Sequence, residues 1–173
     1  IDGPLIGGQA SHYTISLNRE LLSKNIIPIF FVKNSNSNLV TNNIKSIKGR
    51  YNSDMHWAYR SLKTGERTNL FKYVDQFNDR NAKIFCYLKA FNGSPQRVEI
   101  HSSTFEKHSN QLPDLLDLVY YLLLVQGDLK NPQIRSISIA EKYARATLNL
   151  IDIDELMKSS GIIPTMNHER FGW

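Results

Sequence analysis

The stretch most informative about the architecture is Ile1-Asp2-Gly3-Pro4-Leu5-Ile6-Gly7-Gly8, which precedes a helical pattern and the apolar run Ile26 to Val32. An apolar residue before Asp-Gly-Pro is typical of a strand end, and the glycines predict a tight turn. Ser11 or Thr14 can cap a helix that runs to about Lys24. The run from Ile26 is rich in β-branched and aromatic residues and predicts a buried strand. Together these elements predict half of a parallel α/β unit.

The rest of the chain predicts elements that pack around the same core. A strand from Ala82 to Ala90, turn residues and the alternating segment Arg97 to Ile100 predict an antiparallel hairpin. Leucines and valines cover most of the circumference of a predicted helix from Pro113 to Gln126, which indicates a core helix. A further helix is predicted from Ile134 to Leu148, and a short helix and tail from Asp152 to Trp173.

Composition limits the class of protein. The chain has 173 residues, the length of one domain, and 41% of them are hydrophobic, which is typical of a globular protein. Lys and Arg number 21 against 16 Asp and Glu, and the net charge of +5 favours anionic partners such as nucleic acid. The single cysteine, Cys86, excludes an intramolecular disulfide framework and a zinc site made of several thiolates. It favours a reducing, cytoplasmic compartment.

The apolar runs and the start of the chain bear on membrane insertion and on completeness. The longest run, Leu118 to Val125, is far shorter than the ~20 residues that a membrane-spanning helix needs. The chain begins without Met, on what is predicted to be the end of a strand. We therefore expect it to be the C-terminal part of a longer protein, with some active-site residues upstream.

Asp2 is the strongest single candidate for a functional residue. An acid at the carboxyl end of a strand, before a turn into a helix, occupies the place where open α/β sheets bind ligands. Its carboxylate suits magnesium or manganese, although an ordinary Asp-Gly turn predicts the same residues. Lys33 ends the next strand at the same predicted sheet edge. It can contact a phosphate or stabilise charge during phosphoryl transfer, or it can be a solvated lysine at a strand end.

Other charged residues have two interpretations each. Arg97 and Glu99 alternate on one predicted strand and are interpreted first as a surface salt-bridge row. Glu141 lies on the Ile134–Leu148 helix among cations, so it is either a metal ligand beside a phosphate-binding face or part of a solvated amphipathic surface. The histidines do not form a recognised metal-ligand spacing, and Cys86 within an apolar strand is interpreted as a core residue.

Taken in order, these segments resemble the C-terminal part of the NurA family of prokaryotic nucleases. The resemblance extends over residues 1–148. It is carried by Ile1 to Ile6, the strand that ends in Lys33, Ala82–Lys89 with Gln96–Ile100, and Asn131–Arg135 with Ile139–Ala144. It implies an α/β fold with an RNase H-like mixed sheet flanked by helices, related to the PIWI domain. Residues 1–150 would form the C-terminal part of the nuclease domain, and residues 151–173 its last helix and tail.

The resemblance also implies an activity. Family members are manganese- or magnesium-dependent DNA nucleases that act in double-strand-break end resection with a hexameric HerA-type ATPase, as homodimers. Asp2 would be the second conserved Asp of the family, whose upstream Asp and Glu have no counterpart here. Glu141 stands where the family has a late His and would either replace it as a metal ligand or mark an inactive member. Hydrolysis by two metals about 3.5–4 Å apart needs several converging carboxylates.

The same resemblance assigns expected roles to cations and aromatic residues. Cationic side chains would hold the DNA backbone, and these are Lys33, Arg97, Arg135, Lys142 and Arg145. Trp57, Tyr59 and Tyr73 would stack bases of single-stranded ends. Two alternatives remain open from the residues alone: a nucleic-acid-binding module without catalysis, and half of a sugar-nucleotide glycosyltransferase with a Gly-Pro turn and the Asn18-Arg19-Glu20 helix.

Overall fold

The computed structural model contains helices and one antiparallel sheet. It describes residues 1–7, 11–33, 35–76, 81–127 and 132–150, without the side chains of residues 145 and 147–150. The elements in chain order are α1 (Ser11–Ser23), β1 (Phe30–Val32), α2 (Asp54–Ser61), β2 (Phe71–Val74), β3 (Ala82–Leu88), β4 (Gln96–His101), α3 (Ser102–His108), a 3₁₀ turn (Ser109–Gln111), α4 (Leu112–Gln126) and α5 (Arg135–Leu150). The chain divides into two compact units, Ile1–Ile134 and Arg135–Trp173. The predicted helix and tail from Asp152 to Trp173 lie outside the described residues.

The four strands form one sheet in the order β1-β4-β3-β2, with every neighbouring pair antiparallel. Residues at the start of the chain add a parallel partner to β1, because Asp2 forms a parallel bridge with Phe31. Phe31 donates its N–H to the Ile1 carbonyl at 2.9 Å and accepts from the Gly3 N–H at 2.8 Å. The predicted α/β class is therefore confirmed, and the parallel bridge agrees with the predicted half-unit, whereas the RNase H-like sheet stays a prediction.

The local signals place most element boundaries correctly. Asn25 follows α1 with a positive φ of 59°, which Asn tolerates better than most residues do. Strand β1 begins at Phe30 rather than at Ile26. Pro28 has no N–H to donate to a ladder, which favours the later start. The predicted hairpin is present, since β3 and β4 pair from Lys83 with His101 to Leu88 with Gln96.

Two clusters of apolar side chains cover one face of the sheet. The first contains Phe85 and Tyr87 of β3, Val40, and the α2 residues Met55 and Ala58. The second consists of Leu5, Ile6, Ile15 and Phe30, and it attaches the chain start and α1 to β1. Every residue of β3 and β4 is buried, so polar side chains on these strands must find partners in the interior.

Helix α4 differs from its prediction. It buries one row at helical spacing, consisting of Leu112, Leu116, Val119 and Leu123, rather than most of its circumference. On its other side Tyr121 and Val125 are 59% and 61% exposed. The described helices include none that is long and apolar enough to cross a membrane.

Candidate active site

Asp2 and Lys33 form the exposed charged pair at the edge of the sheet. The Lys33 Nζ lies 3.2 Å from the Asp2 Oδ2, and their side chains are 24% and 45% exposed respectively. The sequence prediction that the two residues share one sheet edge is confirmed. Their roles in catalysis or binding stay predictions.

The backbone explains why the two side chains meet. Asp2 bridges to Phe31, and Lys33 lies two positions beyond Phe31, so all three side chains project from the same face of the sheet. Directly after Asp2 the chain turns at Gly3, whose φ of +102° is a conformation that residues with a Cβ rarely adopt. This turn ends the parallel pairing immediately after Asp2 and leaves its carboxylate at the surface.

An ion pair this exposed adds little to stability, at most about 1 kcal/mol. The carboxylate offers hard oxygen donors of the kind that Mg²⁺ and Mn²⁺ prefer. The ammonium group beside it suits a phosphate oxygen. The arrangement therefore has the chemistry of one metal-ligand position next to one phosphate contact.

The residue types fit a divalent metal at Asp2 but do not complete a metal site. Among the described residues there is no group of three or more His, Cys, Asp or Glu side chains able to hold a metal ion. A set of three or more such ligands would need at least one side chain from outside the described residues. Glu141, the predicted second ligand, is partly buried on α5 in the second unit. That Glu141 and Asp2 bind the same metal stays a prediction.

Three buried charged residues form a second cluster, the buried triad of Lys83, Arg97 and Glu99. The Glu99 Oε1 lies 2.7 Å from the Lys83 Nζ and 2.7 Å from the Arg97 Nε. The three side chains are between 0% and 5% exposed. Burial lowers the pKa of Lys83, although the adjacent Glu99 carboxylate acts in the opposite direction.

The buried triad corrects the interpretation of Arg97 and Glu99 as a surface salt-bridge row. Arg97 and Glu99 alternate as predicted, but on the face that Phe85 and Tyr87 share. The Arg97 guanidinium contacts the buried Glu99 and two partly buried serines, so its predicted role in holding the DNA backbone is not supported by its position. Lys83 is not among the residues that the sequence predicts, because its spacing of two from Phe85 places it on the same face without indicating an ion pair.

The predicted base-stacking roles of Trp57 and Tyr59 stay predictions, and both side chains have contacts within the protein. Trp57 is partly buried against the core and makes edge contacts with Phe71 and Tyr87, with ring centroids 6.2 Å and 6.4 Å apart. Tyr59 is 41% exposed, and the Lys89 Nζ lies 4.3 Å from the centre of its ring. Trp57 is therefore packed against the core while part of its side chain stays accessible, and one face of Tyr59 carries a lysine.

The predicted phosphate-binding cations of α5 lie in the second unit. Arg135 and Lys142 are exposed, whereas the side chain of Arg145 lies outside the described set. Their surface position is compatible with the predicted contact to a phosphate backbone, which stays a prediction. Cys86 is 1% exposed, so the prediction of a core residue is confirmed. Burial also raises the pKa of its thiol to about 12.

Comparison with known proteins identifies the family. The family model described as the NurA domain matches residues 1–159, a range that contains Asp2, Lys33, the buried triad and the whole of α5. Neither the curated proteins nor the solved structures contain a match to the chain. The match spans well over half of the 173 residues. The chain therefore belongs to the NurA family, whose members are nucleases.

Proposed function

We propose that this protein is a metal-dependent DNA nuclease and that the Asp2–Lys33 pair is part of its active site. The observation that carries the proposal is the position of Asp2 beside Lys33 on an accessible sheet edge, in a chain that matches the NurA domain. The membership in a nuclease family disfavours the sugar-nucleotide transferase alternative.

In this proposal, Asp2 and Lys33 have different roles. Asp2 would hold one coordination position of Mn²⁺ or Mg²⁺ through its exposed carboxylate. Lys33 would bind a non-bridging oxygen of the scissile phosphate, because its ammonium group lies next to that position. A bound divalent metal supplies a polarised phosphate and an activated water. Glu141 is the proposed further ligand from α5, where family members carry a late His.

The proposal extends to the biological context of the reaction. We infer a role in resection of DNA double-strand breaks, as a homodimer working with a hexameric HerA-type ATPase. The support for this extension is the family membership alone. Co-purification with such an ATPase, and the mass of the protein in solution, test these two partnerships directly.

The test of the nuclease activity uses the protein expressed from its complete gene. Labelled single- and double-stranded DNA is incubated with Mn²⁺, with Mg²⁺ or with a chelator. Cleavage that needs the metal is the expected result. Asp2→Asn should abolish it while fold and DNA affinity persist, because the substitution removes a charge and little packing. Asp114→Asn, at an exposed carboxylate in the first turn of α4, is the matched control and should cleave normally.

A second candidate is a DNA-binding protein without catalysis. It is favoured by Glu141, which stands where members of the family are expected to carry a late His. Metal-independent DNA binding without cleavage by the complete gene product would establish this alternative. If the protein cleaves DNA, Glu141→Gln decides the role of Glu141, because unchanged cleavage in that variant would exclude it as a ligand.

A further inference from the structure

We propose that the buried triad of Lys83, Arg97 and Glu99 positions the Asp2–Lys33 pair, and that Glu99 is its central residue. The inference rests on the proposed function, because it concerns the same site. It is carried by the contacts that the triad makes with the two chain segments that follow Asp2 and Lys33.

The first segment is the turn after Asp2. The Glu99 Oε2 accepts a hydrogen bond from the backbone N–H of Leu5 at 2.8 Å. The Lys83 Nζ donates to the backbone carbonyl of Ile6 at 3.1 Å. Leu5 is completely buried, so these bonds form in a dry environment where they are directional and strong. The turn is thereby attached to β3 and β4 a few residues from the Asp2 carboxylate.

The second segment follows Lys33. The Nη1 of Arg97 donates to the Ser35 Oγ at 3.0 Å and to the Ser37 Oγ at 2.6 Å. The Ser37 N–H also donates to the Ser35 Oγ at 3.2 Å, which closes a small hydrogen-bonded loop. The guanidinium that contacts Glu99 therefore also holds the chain as it leaves β1. One connected set of charges fixes the exits from both strands that carry the candidate site.

The triad acts from the opposite face of the sheet. Glu99 pairs with Phe30, and Arg97 pairs with Val32, whereas Asp2 and Lys33 share the face of Phe31. Glu99 is 0% exposed. It therefore has no access to a metal or a phosphate at Asp2, and its influence passes through the backbone. This makes Glu99 a positioning residue rather than a catalytic one.

Asp54 provides a matched control. Its carboxylate is also 0% exposed, and it accepts hydrogen bonds from the N–H groups of Val40 and Thr41 at 3.0 Å and 2.8 Å. It also accepts from the Tyr87 hydroxyl at 3.1 Å. Its carboxylate thus holds residues 40 and 41 rather than the turn after Asp2. Neutralising either Asp54 or Glu99 lowers stability, because each is a buried carboxylate that accepts backbone hydrogen bonds. Only the change at Glu99 loosens the turn after Asp2.

The experiment compares Glu99→Gln with Asp54→Asn in the protein expressed from its complete gene. Mn²⁺ affinity is measured by titration calorimetry at a temperature where both variants are folded. Glu99→Gln should weaken Mn²⁺ binding about tenfold, as the loss of outer hydrogen bonds typically does at metal sites. It should also shift the amide resonance of Leu5. Asp54→Asn should leave both readouts at their wild-type values.

The outcomes separate the inference from the function on which it rests. A wild-type protein without Mn²⁺ affinity overturns the proposed function and this inference together. Wild-type binding with Glu99→Gln and Asp54→Asn indistinguishable overturns the inference alone. If Glu99→Gln fails to fold, Lys83→Met replaces it, because that variant keeps the contact between Glu99 and Arg97 and loses the bond to Ile6. Unchanged Mn²⁺ affinity in folded Lys83→Met would then refute the inference.

Discussion

The Nζ of Lys33 lies 3.2 Å from the Oδ2 of Asp2, because a parallel bridge between Asp2 and Phe31 aligns the two segments that carry them. In this position the lysine can exchange its carboxylate partner for a phosphate without a change in the backbone. In the proposed function, the pair would supply a cation for DNA binding beside a carboxylate for a metal.

The first prediction concerns that cation. Lys33→Met should weaken DNA binding to a similar extent for all sequences, because a lysine contacts phosphate rather than base edges. It should also reduce the slope of log affinity against log salt by about 1. Fluorescence anisotropy at several salt concentrations measures both quantities. An unchanged slope would show that Lys33 does not contact the DNA backbone.

The second prediction concerns the buried carboxylate of Asp54. Asp54→Ala should lower the free energy of unfolding by about 3 kcal/mol, since it leaves buried backbone donors at residues 40 and 41 without an acceptor. Urea denaturation followed by circular dichroism measures the change. Asp114→Ala, at an exposed position on α4, is the comparison. Equal stabilities of the two variants would contradict the anchoring role of Asp54.

The third prediction concerns pH. Burial, followed by the nearby Arg19 cation, lowers the pKa of His101 below its usual 6.5, against the opposing effect of Glu106. Between the folded and unfolded pKa values the unfolded chain binds more protons, so stability rises with pH there. The protein should therefore lose stability as the pH falls below 6.5.

His101→Asn tests this assignment. His101 is the N-cap of α3, where its Nδ1 accepts from the Ser103 N–H, and Asn is also a favoured N-cap residue. The variant should keep the cap and lose the His101 contribution to the pH dependence. Thermal melts from pH 5 to pH 7.5 provide the comparison. If wild type and variant lose stability in parallel on acidification, His101 is not the responsible group.

The fourth prediction concerns the two sides of α4. Leu123 is 1% exposed, and Leu123→Ala should cost about 2–5 kcal/mol of stability through a cavity. Val125 is 61% exposed, and Val125→Ala should change stability by no more than about 0.5 kcal/mol. Chemical denaturation of both variants tests the contrast. Similar losses would mean that α4 is covered on both sides in solution.

The parallel half-unit and the hairpin could be predicted from the sequence. Each depends on short apolar runs and turn residues that are recognisable over a few consecutive positions. Ile1-Asp2-Gly3 and the run to Val32 placed Asp2 and Lys33 on one edge, since parallel strands end on the same side of a sheet. These are consequences of local sequence combined with general rules of chain geometry.

The buried triad could not be predicted from the sequence in the same way, for a physical reason. Composition treats Lys83, Arg97 and Glu99 as surface residues, because isolated charges rarely leave water. Only the pairing of β3 with β4 brings the three together, and that pairing is set by contacts remote in sequence. The one-sided burial of α4 was missed for a related reason, since Leu and Val at exposed positions look identical to core residues in a sequence.

The pairing of β3 with β4 has a consequence for how the hairpin forms. Successive residues alternate between faces, so a slip of one position would turn Lys83, or Arg97 and Glu99, toward the opposite side. Each slipped arrangement separates the carboxylate from at least one cation and leaves charge buried without a partner, at a cost of several kcal/mol. The apolar residues on both faces would tolerate such a slip far better. The charges thus act as a register lock, which excludes misaligned hairpins that hydrophobic burial alone would permit.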